Sequence, residues 1–398
     1  MDKLTAERII NALESGVVSY DDVDYFNIGR DKEIAKIETL LENTKKGGSN
    51  ILFIHGDYGV GKTHILNLTK EKALSHKFVV SYVTLSSREC PLSNMVWVYG
   101  DILKNMSFQA ENENLGLLSF LDLWLELVEN EISKYRNDKC KHKLTYLACS
   151  LGCIDELYKE HMPELRNIHE ALKSAIKLYQ YAFLRKNEEL KVLIIRWILG
   201  EKLKKIEFNY INNQLRSIEL LENIDISNAF DMFKSISSLS KILGYNGLII
   251  FLDEAERIPS IGNVLEGYIN LCRIIMQSYK MHGVLIVYAT TPQFYEDAKK
   301  YFKYYESEEN KGLLETIYRR MEKERLILTI LKEDELLILA RKIITIYIQS
   351  VGNYKNSEKI FNNIFNEITV IIEESTTMRE YIAKILPLIK KSYNSASY

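Results

Sequence analysis

A glycine-rich loop that ends in lysine and threonine is the clearest chemical signal in the sequence. Residues 56–63, GDYGVGKT, fit the P-loop pattern G-x-x-x-x-G-K-[ST], with apolar segments on both sides. In such a loop the backbone N–H groups face phosphate oxygens, and the following helix contributes the positive end of its dipole. Lys62 is expected to reach the outer phosphates. The residues predicted to contact a nucleotide here are Gly56, Asp57, Tyr58, Gly59, Val60, Gly61, Lys62, Thr63 and His64.

A pair of carboxylates follows an apolar run further along the chain, in LIIFLDEAE. In open α/β sheets ligands sit at the carboxyl ends of the strands, so this pair is expected to face the bound phosphates. Asp253 is the predicted Mg²⁺ partner, directly or through water, together with the Thr63 hydroxyl. Glu254 is predicted to orient and deprotonate an attacking water. The chain has no Asn-Lys-x-Asp run of the kind that reads guanine, which favours ATP over GTP.

The elements that position these groups are predicted to form a parallel α/β sheet. Apolar runs at 51–55, 77–85, 247–256 and 283–292 are typical of buried strands, and helical patterns separate or follow them. The fold class is therefore α/β, a P-loop NTPase sheet flanked by helices. We expect a helical lead-in at 1–50, a core at 51–105 and 224–325, a large helical insertion at 106–223, and an all-helical C-terminal lid at 326–398.

Composition limits the other function classes. The 52 basic and 54 acidic residues give a net charge of −2, so the whole chain has no basic field for DNA, although a local patch would still allow contact. No apolar stretch is long enough to cross a membrane, and the N-terminus carries charges where a signal peptide would be apolar. The expected location is the cytoplasm. Five cysteines without a secretion signal are expected to be reduced thiols.

Several segments carry a family resemblance. GRDKEI at 29–34, DEAE, the polar strand end at 290–291 and the helical tail resemble AAA+ ATPases of the origin-recognition and initiator group. More closely, RIINALESG, GDYGVGKTHIL, FLDEAE, ATTPQFYED and TTMREYI are similar to the ATP-binding proteins encoded in bacteriophage exclusion (BREX) and phage-growth-limitation loci. The insertion contributes little to this likeness.

The resemblance implies roles for further residues. It places Gly29 and Arg30 near the adenine, and it makes Thr290 the polar sensor of the terminal phosphate, with Thr291 as the alternative. In ETIYRRMEKERL it makes Arg319 or Arg320 the arginine offered to a neighbouring subunit's ATP, and it makes Arg379 in TTMREYI a lid arginine. Without the resemblance, two arginines on a charged helix are typical of a solvated face.

Two other clusters have weaker interpretations. The first cluster consists of Cys140, His142, Cys149 and Cys153, which are residue types that bind zinc. Their spacing matches no common zinc module, and the apolar residues around them favour buried thiols. Residues 295–311 interleave aromatic residues with lysines, as single-strand binding surfaces do, yet aromatics on one helix face are more often core. His55, at the strand end before the loop, is expected to pack beneath it.

The leading hypothesis is a Mg²⁺-dependent ATPase of the AAA+ type that belongs to an anti-phage defence system. Its expected partners are further copies of the same chain, other proteins of that system, or both. A second hypothesis is a slow switch that uses bound ATP to recruit a protein partner through the insertion. A third is a replication-initiator-like DNA loader. The short helical tail and the neutral charge count against the loader.

Overall fold

The computed structural model describes most of the chain, including the whole sheet. The described residues are 1–16, 25, 27–86, 92–108, 116–134, 168–215, 218, 220, 222–255, 264–305, 311–352 and 357–395. The strands are β1 (Ser49–His55), β2 (Val79–Thr84), β3 (Met106–Ser107), β4 (Leu248–Asp253), β5 (Val284–Thr290) and β6 (Arg325–Ile327). The cysteine and histidine residues of the weighed zinc cluster, 140–153, lie outside the described residues.

The helices before β4 are α1 (Lys3–Ser15), α2 (Asp31–Lys45), α3 (Lys62–Ser75), α4 (Met95–Lys104), α5 (Gly116–Lys134), α6 (Glu170–Arg185), α7 (Glu188–Ile198), α8 (Lys205–Asn212) and α9 (Ile226–Ile242). The helices after it are α10 (Val264–Ser278), α11 (Pro292–Tyr305), α12 (Lys311–Lys323), α13 (Glu333–Val351), α14 (Ser357–Asn363), α15 (Phe365–Glu374) and α16 (Met378–Ser395). No helix of the described part is long and apolar enough to cross a membrane.

The six strands form one sheet in the order β3-β2-β4-β5-β1-β6. All neighbours are parallel except β2 and β3. Every residue of β5 is buried, and five of the six in β4 are buried, which explains why these strands are continuous apolar runs instead of alternating ones. The loop strand β1 and the carboxylate strand β4 are thus separated by a single strand, β5.

Two short strands correct the sequence interpretation. The sheet is mixed, because β3 pairs antiparallel with the edge of β2 inside the region expected to be purely helical. The strand β6 pairs with β1 across the boundary where the helical lid was expected to begin, so the helical part starts with α13. Strands of two and three residues are too short to show a hydrophobic periodicity in the sequence. They form because their backbones pair with a longer neighbouring strand.

The two faces of the sheet belong to separate apolar clusters. One face packs on α1, α2, α3 and the C-terminal helices through residues such as Leu52 and Phe251. The other face, through residues such as Phe53 and Ile250, packs on helices α4 through α12, and all of them contribute to one continuous cluster. The described helices of the insertion therefore share a core with the sheet.

Trp197 of α7 tests this shared core. Its side chain is 1% exposed, and its indole N–H donates to the Glu222 carbonyl over 2.8 Å. We expect Trp197→Ala to lower the free energy of unfolding by about 3–5 kcal/mol, because it leaves a large cavity. The measurement is urea unfolding of the full chain followed by circular dichroism. Ile206→Ala on α8, where the side chain is 74% exposed, is the control and should shift stability by no more than about 0.5 kcal/mol. Equal midpoints for the two variants would contradict the prediction.

Candidate nucleotide site

The glycine-rich loop links the end of β1 to the start of α3. Gly59 and Gly61 have φ angles of 79° and 102°, in the left-handed region that favours glycine. Gly61 is the N-cap residue directly before α3, so the N-terminal end of the helix, with the N–H groups of its first turn, adjoins the loop. This arrangement provides the backbone donors and helix dipole that a phosphate needs.

The loop packs closely against the C-terminal part of the chain. A Cβ atom on Gly56 would lie 2.9 Å from the Leu328 carbonyl oxygen, and one on Gly59 would lie 3.0 Å from Cβ of Thr377. The Gly59 carbonyl also accepts a hydrogen bond from the Met378 N–H, over 2.9 Å, at the first residue of α16. The tip of the loop is therefore in contact with the start of the last helix.

Lys62 extends back into the loop. Its Nζ atom donates to the carbonyls of Gly56 and Asp57 over 2.9 and 3.0 Å, and it lies 5.2 Å from the centre of the exposed Tyr58 ring. The side chain is buried, whereas Thr63 beside it is exposed. The ammonium group thus lies within the loop, where outer phosphates would bind, and the threonine hydroxyl is accessible to a metal ion.

The two carboxylates lie at the carboxyl end of β4. One oxygen of Asp253 accepts the Tyr82 hydroxyl over 2.6 Å, and the other accepts the Glu254 N–H over 2.8 Å. Burial and the neighbouring Asp253 charge raise the pKa of Tyr82, so this hydroxyl remains a donor. Glu254 has a φ of 57°, which is rare for a residue with a side chain and occurs where a site constrains the backbone.

Alternation along the strands separates Thr290 from Thr291. Thr290 follows Tyr288 on the face away from α3, and its hydroxyl donates to the Ile54 carbonyl over 3.3 Å. Thr291 is one residue past the strand, and continued alternation predicts that its side chain follows those of Val287 and Ala289 on the α3 face. Its hydroxyl oxygen is buried and has no hydrogen-bond partner within the described part of the chain. Alternation thus predicts that Thr291 shares the side of the sheet that carries Lys62 and Asp253.

The GRD segment has a structural role. Arg30 is buried and donates to the carbonyls of Val60 and Thr329 over 3.1 and 2.8 Å, with Glu33 as its ion-pair partner at 3.2 Å. Arg30 thus connects the chain before α2 to the phosphate loop and to the segment after β6. Gly29 lies against the Glu335 carboxyl group, because a Cβ there would be 2.5 Å from it.

His64, near the start of α3, contacts Asn27. Its Nε2 atom lies 3.3 Å from the Asn27 side-chain oxygen. Burial, and secondly the Arg30 charge, lower the pKa of His64 to about 4, so the ring is neutral at physiological pH. A neutral ring that is engaged with Asn27 is suited to packing the helix start. It offers no positive charge to a phosphate.

The three candidate arginines lie in different places. Arg379 is exposed at the start of α16, and a Cβ on Gly59 would lie 3.5 Å from its Cβ, so it is next to the loop. Arg319 is exposed on α12 and pairs with Glu315 over 2.6 Å. Arg320 stacks on the Tyr279 ring at 3.1 Å, and burial lowers its pKa. Glu315 lies on α12, and Tyr279 directly follows α10.

A cluster of His55, Tyr295 and Arg325 next to the phosphate loop was not predicted from the sequence. The His55 ring meets Tyr295 edge-on at 4.9 Å, and the Arg325 guanidinium lies 4.7 Å above the same ring. Burial and the Arg325 charge lower the pKa of His55. The position of His55 beneath the loop was expected, but its partners come from α11 and β6. Tyr295 and Phe302 are buried in the core, in line with the interpretation of the α11 aromatic residues as core and not as a single-strand binding surface.

The residues present fit a magnesium nucleotide. The described residues contain no group of three or more histidine, cysteine or carboxylate side chains that could hold a metal alone. Magnesium usually takes one or two protein ligands and completes its shell with phosphates and water, so Thr63 and Asp253 on the same side of the sheet suffice. The buried, unpartnered hydroxyl of Thr291 is one more donor that a terminal phosphate would satisfy.

One comparison with known proteins identifies the family of the chain. The family model described as BREX system ATP-binding protein BrxC/D matches residues 1–397, almost the whole chain. A comparison with curated proteins gives no match. Because this match covers nearly the whole chain, the chain belongs to the BrxC/D family of BREX system ATP-binding proteins.

Proposed function

We propose that the protein is a Mg²⁺-dependent ATPase of the AAA+ type and that hydrolysis drives the nucleotide-dependent step of BREX defence. The observation that carries this proposal is the shared edge of the sheet: the loop with Lys62 follows β1, Asp253 ends β4, and Thr291 follows β5, the strand between them. Two strand spacings, about 10 Å, separate β1 from β4, which is suitable for a phosphate chain and a hydrated metal.

In this mechanism a water attacks the terminal phosphorus in line with the departing diphosphate. Glu254 accepts the proton of the water, and Lys62 balances charge on the transferred group. Magnesium, held through Thr63 and Asp253, would supply charge neutralisation between the outer phosphates. We assign the sensor role to Thr291 instead of Thr290, because the Thr290 hydroxyl faces away from α3 and already bonds Ile54.

Arginines complete the proposed site from two directions. Arg379 would fold onto the phosphates from the start of α16, which contacts Gly59. Arg319 would be supplied to the ATP of a neighbouring copy. Its surface pair with Glu315 is worth at most about 1 kcal/mol and is easily exchanged, whereas Arg320 is held against Tyr279.

A slow ATP-dependent switch is the second candidate. Arg30 and Met378 bond carbonyls of the phosphate loop from opposite ends of the chain. A nucleotide that moves the loop would therefore bias both segments, by as much as its affinities for the two arrangements differ. This candidate needs binding but no fast turnover.

Glu254→Gln separates binding from chemistry. Without the proton acceptor we expect turnover to fall about 10²- to 10⁴-fold while ATP affinity stays within a few fold. The measurements are phosphate release and binding of a fluorescent ATP analogue. Glu170→Gln, which changes an exposed carboxyl on α6 paired with Lys173, is the control and should leave turnover unchanged. A wild type that binds ATP without turnover would favour the switch instead.

The two threonines form a matched pair. Thr291→Val removes a buried hydroxyl that has no partner in the described part of the chain, so we expect unchanged thermal stability and turnover reduced about 10-fold or more. Thr290→Val removes the bond to Ile54, so it should cost about 1 kcal/mol of stability with a smaller effect on turnover. The checks are thermal melting and steady-state phosphate release. The reverse pattern would return the sensor role to Thr290.

Arg319→Ala tests the contribution of a neighbouring subunit. In Glu254→Gln protein with Mg-ATP, light scattering should show an assembly that Arg319→Ala weakens, and in the otherwise wild-type chain turnover should drop by about 10³-fold or more. Arg320→Ala is the adjacent comparison, expected to affect stability more than assembly because it loses the Tyr279 contact. A monomer at all ATP concentrations would refute the shared site.

A further inference from the structure

Tyr82 lies in the neighbouring strand, beside the carboxylate proposed to hold magnesium. The strands β2 and β4 run parallel, and Tyr82 is opposite Phe251 in the register. The two rings stack, with centres 5.7 Å apart and planes 27° apart. This stacking directs the phenol along β4 towards Asp253, two residues further on, where the hydroxyl donates to Oδ2 over 2.6 Å. Packing of the ring therefore determines where the hydroxyl lies.

Both oxygens of the carboxylate consequently have a fixed donor. Oδ1 accepts the Glu254 N–H, and Oδ2 accepts the Tyr82 hydroxyl. A short aspartate side chain otherwise turns easily about its terminal bond, which has a broad torsional preference. One donor on β2 and one from the residue that follows β4 define the plane of the group. Each oxygen keeps a further lone pair, so the carboxylate can still accept from metal-bound water or bind a metal.

We propose that Tyr82 is a positioning residue that fixes the Asp253 carboxylate for the magnesium ion of the bound nucleotide. The proposal rests on the proposed function, because it requires a magnesium nucleotide at this site. Tyr82 acts through Asp253 and contacts neither metal nor phosphate. Outer partners of this kind typically change metal affinity by 10- to 100-fold when they are removed, although they are not ligands themselves.

The test is Tyr82→Phe in the full chain, which keeps the ring and its stacking on Phe251 and deletes only the hydroxyl. Binding of mant-AMPPNP, a fluorescent and non-hydrolysable ATP analogue, is measured at increasing MgCl₂ concentrations, and a sample in EDTA gives binding without Mg²⁺. We expect the Mg²⁺ concentration at half-maximal binding to rise about 10-fold, while affinity in EDTA is unchanged. An unchanged or lower Mg²⁺ midpoint overturns the proposal.

Tyr288→Phe is the matched control. Tyr288 is fully buried on β5, and its hydroxyl has no hydrogen-bond partner within the described part of the chain. Removing that hydroxyl should leave the Mg²⁺ midpoint within about twofold of wild type. Thermal melting of both variants establishes that each is folded. A shift in the Mg²⁺ midpoint as large as that of Tyr82→Phe would mean that loss of any buried hydroxyl in the sheet suffices, and it would overturn the assignment.

A double-mutant cycle shows whether Tyr82 acts through the carboxylate. In the Asp253→Asn background, Tyr82→Phe is expected to add less than a twofold change to the Mg²⁺ midpoint, because the group that it orients no longer carries charge. A persisting 10-fold effect would contradict a positioning role. If wild-type protein binds mant-AMPPNP equally with and without Mg²⁺, the proposed function itself fails. Normal Mg²⁺ dependence with an unaffected Tyr82→Phe variant refutes only the role of Tyr82.

Discussion

The parallel pairing of β1, β5 and β4 is the constraint on which the site depends. Parallel strands end at the same edge, so the loop after β1 and the carboxylates after β4 must lie on either side of the end of β5. The Gly56 N–H donates to the Thr290 carbonyl over 3.2 Å, which fixes the start of the loop to the middle strand. Hydrogen bonds of the sheet thus set the spacing between the groups that would bind phosphate and metal, and the surrounding helices bury the strands that hold them.

The loop is also held by parts of the chain that are distant in sequence. Arg30 bonds the Val60 carbonyl from the N-terminal side, and the Met378 N–H bonds the Gly59 carbonyl from the C-terminal side. These contacts are short and specific, yet each is a single hydrogen bond, with a net worth of about 0.5–3 kcal/mol. Differences in nucleotide affinity of that size are common, so the loop is suited to link nucleotide state to the position of both segments.

The sequence contained enough information for the main strands, the loop and the carboxylates. Continuous apolar runs such as LIIFLD can be recognised as strands from the local sequence, because strands buried on both faces contain few polar residues. The short strands β3 and β6 were missed because pairing with a neighbour creates them. The choice between Thr290 and Thr291 depends on which face each hydroxyl takes at the strand end, which one sequence does not fix. Tyr82 lies 171 residues from Asp253, and only the register of β2 on β4 brings the two together.

The insertion between β2 and β4 has a consequence for how the chain can vary. The strands on both sides of it are adjacent in the sheet, so the insertion begins and ends beside the same pair of strands and leaves the sheet order unchanged. The entropy of closing a loop grows only with the logarithm of its length, about 0.6 kcal/mol for each doubling. Lengthening or replacing this segment would therefore be nearly neutral for the sheet as long as its inner face still covers the apolar side chains of β4 and α4. This region can accordingly change in length while the loop and the carboxylates keep the same arrangement.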